Sequence, residues 1–251
     1  MAKQKGIIKL AGTIGNITFY KTQDGYMAKE KTSLDATRIA TDPNFIRTRE
    51  NGMEFGHVAK VAATLRLAFR SVILNNRDNR MVSRLTQRML AVVYADMTSV
   101  RGQRNVMDGE TELLEGFQFN VKAPLATTLS TPYTSSIDRV TGILKVEIPS
   151  FIPINLITPP GGATHFKFIA GGASINFETK EFVVDSHESA MLPLDGTPTI
   201  AISLSNLVTA ASVHPLIILF GIEFYQGVNG VKYSLRNSSY HALSVIKVSG
   251  M

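Results

Sequence analysis

The sequence predicts an α+β fold that is mostly β: an N-terminal β-meander with two amphipathic helices, then a C-terminal antiparallel β-sandwich. Three observations support this. The first thirty residues carry two hairpin turn signals, apolar residues recur at helical spacing through Phe55–Val72 and Met81–Val93, and short β-rich runs broken by Pro and Gly fill the chain beyond residue 110.

In the first part, Ile7–Leu10, Ile17–Lys21 and Tyr26–Glu30 are strand-like, with turns at Gly15-Asn16 and Gln23-Asp24-Gly25. Alternation puts Ile17 and Phe19 on one face and Thr18 and Tyr20 on the other. So thin a unit needs something to lie against. A polar segment, Thr32–Thr41, ends at Asp42-Pro43, a helix-start signal. Phe55, Val58, Val61, Ala62, Leu65, Phe69 and Val72 then form one helical face, and Gly52 and Gly56 suggest close approach of another backbone. After a turn at Asn75, Asn76 and Asp78, a second helix is expected over Asn79–Met97, with Met81, Leu85, Met89, Val92 and Val93 inward. Arg77, Arg80, Arg84 and Arg88 recur along an adjoining face at steps of three or four. The stretch from Arg101 to Gly109 has loop composition, which gives a basic β-hairpin and helical section over 1–110 and a β-sandwich domain over 111–251.

Strands are expected at Gly116–Val121, Ile143–Ile148, Phe166–Ala170, Ala173–Phe177, Glu181–Val184, Thr199–Leu204, Leu216–Tyr225, Val231–Leu235 and Ala242–Val248. Thr141-Gly142, the Pro159–Gly162 run and Asn229-Gly230 supply turns, and Gly171-Gly172 suggests a turn or bulge. Phe166, Phe168, Phe224, Tyr225 and Tyr233 alternate within strands and are expected in the core rather than on a sugar-binding platform.

The chain has 251 residues, 44% hydrophobic and 18% charged, so a sizeable core is available. It has no cysteine, which excludes disulfides and thiolate metal sites. Residues 1–110 hold 18 Lys and Arg against 10 Asp and Glu, whereas the remainder holds 8 against 10. The basic part is therefore suited to an acidic partner. The N-terminus lacks a continuous apolar h-region, so no signal peptide is expected, and the cytoplasm is the default location, with an extracellular particle reachable by a signal-independent route. The run Pro215–Phe224 is interrupted by Glu223 and is too short for a transmembrane segment. Asn16-Ile-Thr18 and Asn237-Ser-Ser239 match the glycosylation pattern without a secretory context.

No catalytic, cofactor-binding or metal-binding constellation stands out. His57, His165, His187, His214 and His241 form no close metal-ligand pair, and Asp185-Ser-His187-Glu188 is read as a solvated loop. Nucleophile-elbow, Walker and dinucleotide fingerprints are missing from the sequence. These features argue against an enzyme.

The opening Met1–Leu10, the Gly12–Lys21 hairpin with Asp24-Gly-Tyr26, Arg47–Gly52, Ser99–Asn105 and Gly227–Leu235 resemble a family of uncharacterised Bacteroidota proteins over essentially the whole chain. The resemblance implies a shared architecture and brings no activity. The leading expectation is a non-enzymatic structural subunit, without cofactors, that forms a homo-oligomeric ring, tube or filament, such as a phage-like particle, through its N-terminal strands and helices. Its assembly residues would be Ile7, Ile8, Ile17, Phe19, Tyr20 and Tyr26. The alternatives are nucleic-acid binding by the arginine face and glycan binding by the sandwich.

Overall fold

The computed structural model describes residues 1–31, 35–235 and 240–250. Residues Thr32 to Leu34 of the polar segment and the Asn237-Ser-Ser239 pattern lie outside the described residues. By internal contacts the chain divides into Met1–Arg49 and Glu50–Met251. The section expected over 1–110 is thus shared between the two units: its strands fall in the first and most of its helical residues in the second.

The first unit holds β1 (Ala2–Lys3), β2 (Gly12–Ile14), β3 (Ile17–Thr22) and β4 (Gly25–Glu30), in the sheet order β1-β4-β3-β2. Both hairpins form at the predicted turns, with positive φ at Gly15 and Gly25. Ile7–Leu10 does not form the expected strand. The Gln4 side chain takes the place of a partner strand, accepting from Leu10 N at 2.9 Å and donating to Met27 O at 3.0 Å, while Lys9 Nζ donates to Gln4 O at 2.7 Å. A short helix absent from the sequence reading, α1 (Ala36–Thr41), is capped by the Asp35 side chain. Asp42 then accepts from Asn44 N at 2.9 Å over a 3-10 turn, Pro43–Phe45, as its Asp-Pro signal predicts.

Helix α2 (Ile46–Ala68) follows, then α3 (Arg70–Ile73) and α4 (Met81–Tyr94). Val58, Val61, Ala62, Leu65, Phe69 and Val72 are buried, and so are the five residues expected on the inner face of α4. Phe55 is exposed instead, and Glu54 is buried beside it, because Gly102 N and Arg104 Nε both donate to Glu54 Oε1, at 2.8 and 2.9 Å. A methyl group at Gly52 or Gly56 would meet nothing within 4 Å, so these glycines do not serve close packing. The Arg101–Gly109 stretch is a pinned loop rather than a linker: Asp96 accepts from the amides of Thr98, Ser99 and Asn105, and Val106 is buried.

In the second unit, β5 (Thr134–Asp138), β6 (Ile143–Ile148) and β10 (Ile202–Leu207) form an antiparallel three-stranded sheet. Facing it is a six-stranded antiparallel sheet of β7 (His165–Ile175), β8 (Phe182–Glu188), β9 (Leu192–Pro193), β11 (Leu216–Val228), β12 (Val231–Ser234) and β13 (Ala242–Ser249). Gly116–Val121 runs beside β13 through a few backbone bonds without becoming a strand. Asp185 and His187 lie on β8, not in a loop. Asn229 and Gly230 both have positive φ and close the predicted β11–β12 hairpin.

Alternation along β7 and β11 gives the large sheet two apolar faces. Phe166, Phe168, Ile218, Phe220 and Phe224 meet Leu144, Val146 and Leu204 of the smaller sheet. On the other face, Ile169, Ala173, Ile217 and Leu219 meet Val58, Leu65, Phe69, Leu85 and Met89 of the helices. Gly171 and Gly172 are the middle of one continuous strand, not a turn. A Cβ at Gly171 would lie 3.2 Å from Val72, and one at Gly172 would lie 2.9 Å from Asn206, so both layers press on the sheet where it carries no side chain.

Candidate functional site

The first unit is an amphipathic sheet. Its register pairs Ile14 with Ile17, Phe19 with Ala28, Lys21 with Tyr26 and Ile17 with Glu30, which puts Ile14, Ile17, Phe19, Tyr26 and Ala28 on one face, with Lys21 and Glu30 at its ends. The opposite face carries Thr13, Thr18, Tyr20, Met27 and Lys29 and is mostly polar. Tyr20 thus parts from the other strand residues predicted at the interface; its hydroxyl lies 2.7 Å from the Met1 sulfur and its ring lies under Lys29. Ile7 and Ile8 project from the loop after β1, and Ile8 is 80% exposed. Among the described residues of Met1–Arg49, none is buried.

The predicted arginine stripe does not present four equivalent guanidiniums. Arg84 is committed to Asp78 and donates to the carbonyls of Gln118 and Phe119 at 2.7 and 3.2 Å, with its guanidinium over the Phe117 ring. Arg88 donates to Glu115 O at 3.2 Å. Arg77 instead borders a groove with Arg66 and Arg70. Asp78 is the anchor of this corner. Burial alone would raise its pKa, but the amides of Val121 and Arg80 and the Arg84 charge hold it below the usual value.

A buried ionic cluster, missed by the sequence reading, sits where the helices meet the large sheet. Glu223 on β11 accepts from Asn76 Nδ2 and from the Tyr225 hydroxyl, each at 2.8 Å, and lies 3.4 Å from Lys167 on β7. Lys167 also pairs with Glu188 at 2.6 Å. His241 is buried near Glu223, with neither ring nitrogen meeting full hydrogen-bond geometry. Burial would raise the Glu223 pKa, yet Asn76, Tyr225 and Lys167 together hold it low. Burial depresses His241, with the Glu223 charge opposing, and pushes Tyr225 up to about 12. Glu223 interrupting an apolar run was the only signal in the sequence, since Asn76 and Lys167 lie far away along the chain and only Tyr225 is local. With Lys167 and Glu188 paired and Glu223 surrounded by donors, the cluster fastens β7, β11 and the Asn76 turn together.

Tyr233, expected in the core, is 57% exposed on the β12 hairpin, whereas Phe166, Phe168 and Phe224 are fully buried. Among the described residues, no group of three or more His, Asp or Glu side chains could hold a metal ion, and no helix is long and apolar enough to cross a membrane.

No protein-family model matches the chain, and no curated protein matches it. A solved structure titled for pH-induced modulation of Streptococcus parasanguinis adhesion by Fap1 fimbriae is similar over 47% of this chain and 79% of that one. The identity is 14% and the TM-score 0.25, and the likeness carries no argument about fold or function.

Proposed function

We propose that the chain is a non-enzymatic structural subunit that self-assembles through its N-terminal sheet. The observation that carries this reading is a folded four-stranded sheet with one apolar face and no buried residue among the described residues of its unit. A small sheet gains its stability by covering such a face, at roughly 25 cal/mol per Å² of apolar surface removed from water. A second copy supplies an identical apolar face, so two sheets stacked face to face satisfy each other.

Face packing fits better than edge pairing. The outer strands β1 and β2 have only two and three residues, and short edges offer few backbone groups to a neighbour. Ile14, Ile17, Phe19 and Tyr26 would form the seam, with Ile7 and Ile8 at its border. The test is light scattering on a chromatography column with the full chain and with Ile17→Ser/Phe19→Ser. The full chain should elute as an oligomer and the double variant as a monomer whose larger unit keeps its unfolding midpoint. A full chain that stays monomeric at high concentration refutes the reading.

A further inference from the structure

The second unit has a separate charged and apolar surface. Arg66, Leu67, Arg70, Leu74 and Arg77 border a groove of about 430 Å³ between α2–α3 and the start of α4, with Ile73 and Met81 at its floor. Leu67 and Leu74 are 56% and 59% exposed, while Ile73 and Met81 are buried. The chain has no carboxylate between Glu54 and Asp78, and it has four cations there, Lys60, Arg66, Arg70 and Arg77. Asp78 is already engaged by Arg84 and by the amides of Arg80 and Val121. Arginine ion pairs elsewhere in this unit hold Arg84, Arg101 and Arg104, and among the described residues none holds Arg66, Arg70 or Arg77.

Ala63, Leu67, Arg70, Leu74 and Arg77 succeed one another at alternating steps of four and three residues. Ala63 and Leu67 lie in the last turns of α2, Arg70 opens α3 after the break at Phe69, and Leu74 and Arg77 follow α3, so leucines and guanidiniums line the groove together. The apolar floor selects a ridge of apolar side chains, and the guanidiniums, free of ion pairs although Arg66 Nε donates to Ala62 O at 3.2 Å, select carboxylates, which they engage in forked hydrogen bonds. We propose that this groove docks an acidic amphipathic helix of a partner protein. A second copy offers no such helix among the described residues: α1, α3 and α4 hold no carboxylate, and α2 holds two against four cations. A flat bilayer would not reach the recessed Ile73 and Met81. This inference is independent of self-assembly, because the groove belongs wholly to the second unit.

The test uses the full chain and a synthetic helical peptide of about 20 residues, long enough to span the seam. The peptide carries leucines at alternating steps of three and four with glutamates on both flanks, and its binding is followed by fluorescence anisotropy. Controls are a scrambled peptide of the same composition and vesicles of phosphatidylserine in phosphatidylcholine. Saturable binding is expected, at least tenfold weaker for the scrambled peptide and at least tenfold weaker for R66E/R70E/R77E. Should that variant lose its fold, Leu67→Gln/Leu74→Gln, at exposed positions, is expected to weaken binding several-fold with unchanged circular dichroism. Equal binding of the scrambled peptide, unchanged affinity in a folded variant, or binding to vesicles alone would overturn the proposal.

Discussion

The two units of this chain reach order by different means. Glu50–Met251 has helices on one side of a six-stranded sheet and a second sheet on the other, with two apolar clusters between them. Met1–Arg49 has well-formed hairpins and not one buried residue among those described. Local turn chemistry is thus sufficient to specify strands and their register, whereas stability comes from burial, and only the larger unit has it within its own residues.

The sharpest way to break that comparison is to remove Met1–Lys31. Assembly should be lost entirely, while the unfolding midpoint of the remaining protein, followed by calorimetry, stays close to that of the full chain. Next in size are changes in the larger unit. Phe69→Ala should cost about 3–5 kcal/mol in urea unfolding, because it empties the contact between the helices and the sheet. Glu223→Ala should cost a similar amount, roughly 3–5 kcal/mol, by leaving Lys167, Asn76 and Tyr225 without their shared acceptor. Neither change should alter the association of the N-terminal sheet.

Acid should act on the larger unit in two stages. Burial holds the His241 pKa below its ordinary 6.5, so the unfolded chain takes up that proton first, and stability falls as pH drops below about 6.5. Glu223 is held below its ordinary 4.5, so its contribution is present above that value and is lost as pH falls through the lower folded one. Urea midpoints between pH 7 and 3 should show both steps, and His241→Gln should flatten the first alone. The smallest effect expected is that of Gly172→Ala, about 1–3 kcal/mol, since the new methyl would press on Asn206 and Leu144.

Much of this architecture was legible in the sequence, and the rest failed for identifiable reasons. Both N-terminal turns, the second hairpin, the inner face of α4, strand β6 at its full extent and the Asn229-Gly230 hairpin followed from local periodicity and turn residues. Gly171-Gly172 misled because glycine in a strand also marks where two layers approach, and that depends on Phe69, Leu144 and Asn206 far along the chain. Ile7–Leu10 misled because a single side chain, Gln4, substitutes for a strand partner. Alternation alone put Ile17 and Phe19 on one face, although Tyr20, grouped with them at the interface, lies on the other, and the Glu223 cluster was not visible because Lys167 and Asn76 reach it only through the sheet register and the Asn76 turn.

Sedimentation velocity of the full chain over a wide concentration range, beside the same chain lacking Met1–Lys31, tests the central claim most directly. A concentration-dependent oligomer is expected for the full chain and a monomer at every concentration for the shortened one. A full chain that remains monomeric throughout, or a shortened chain that assembles as the full one does, would contradict it.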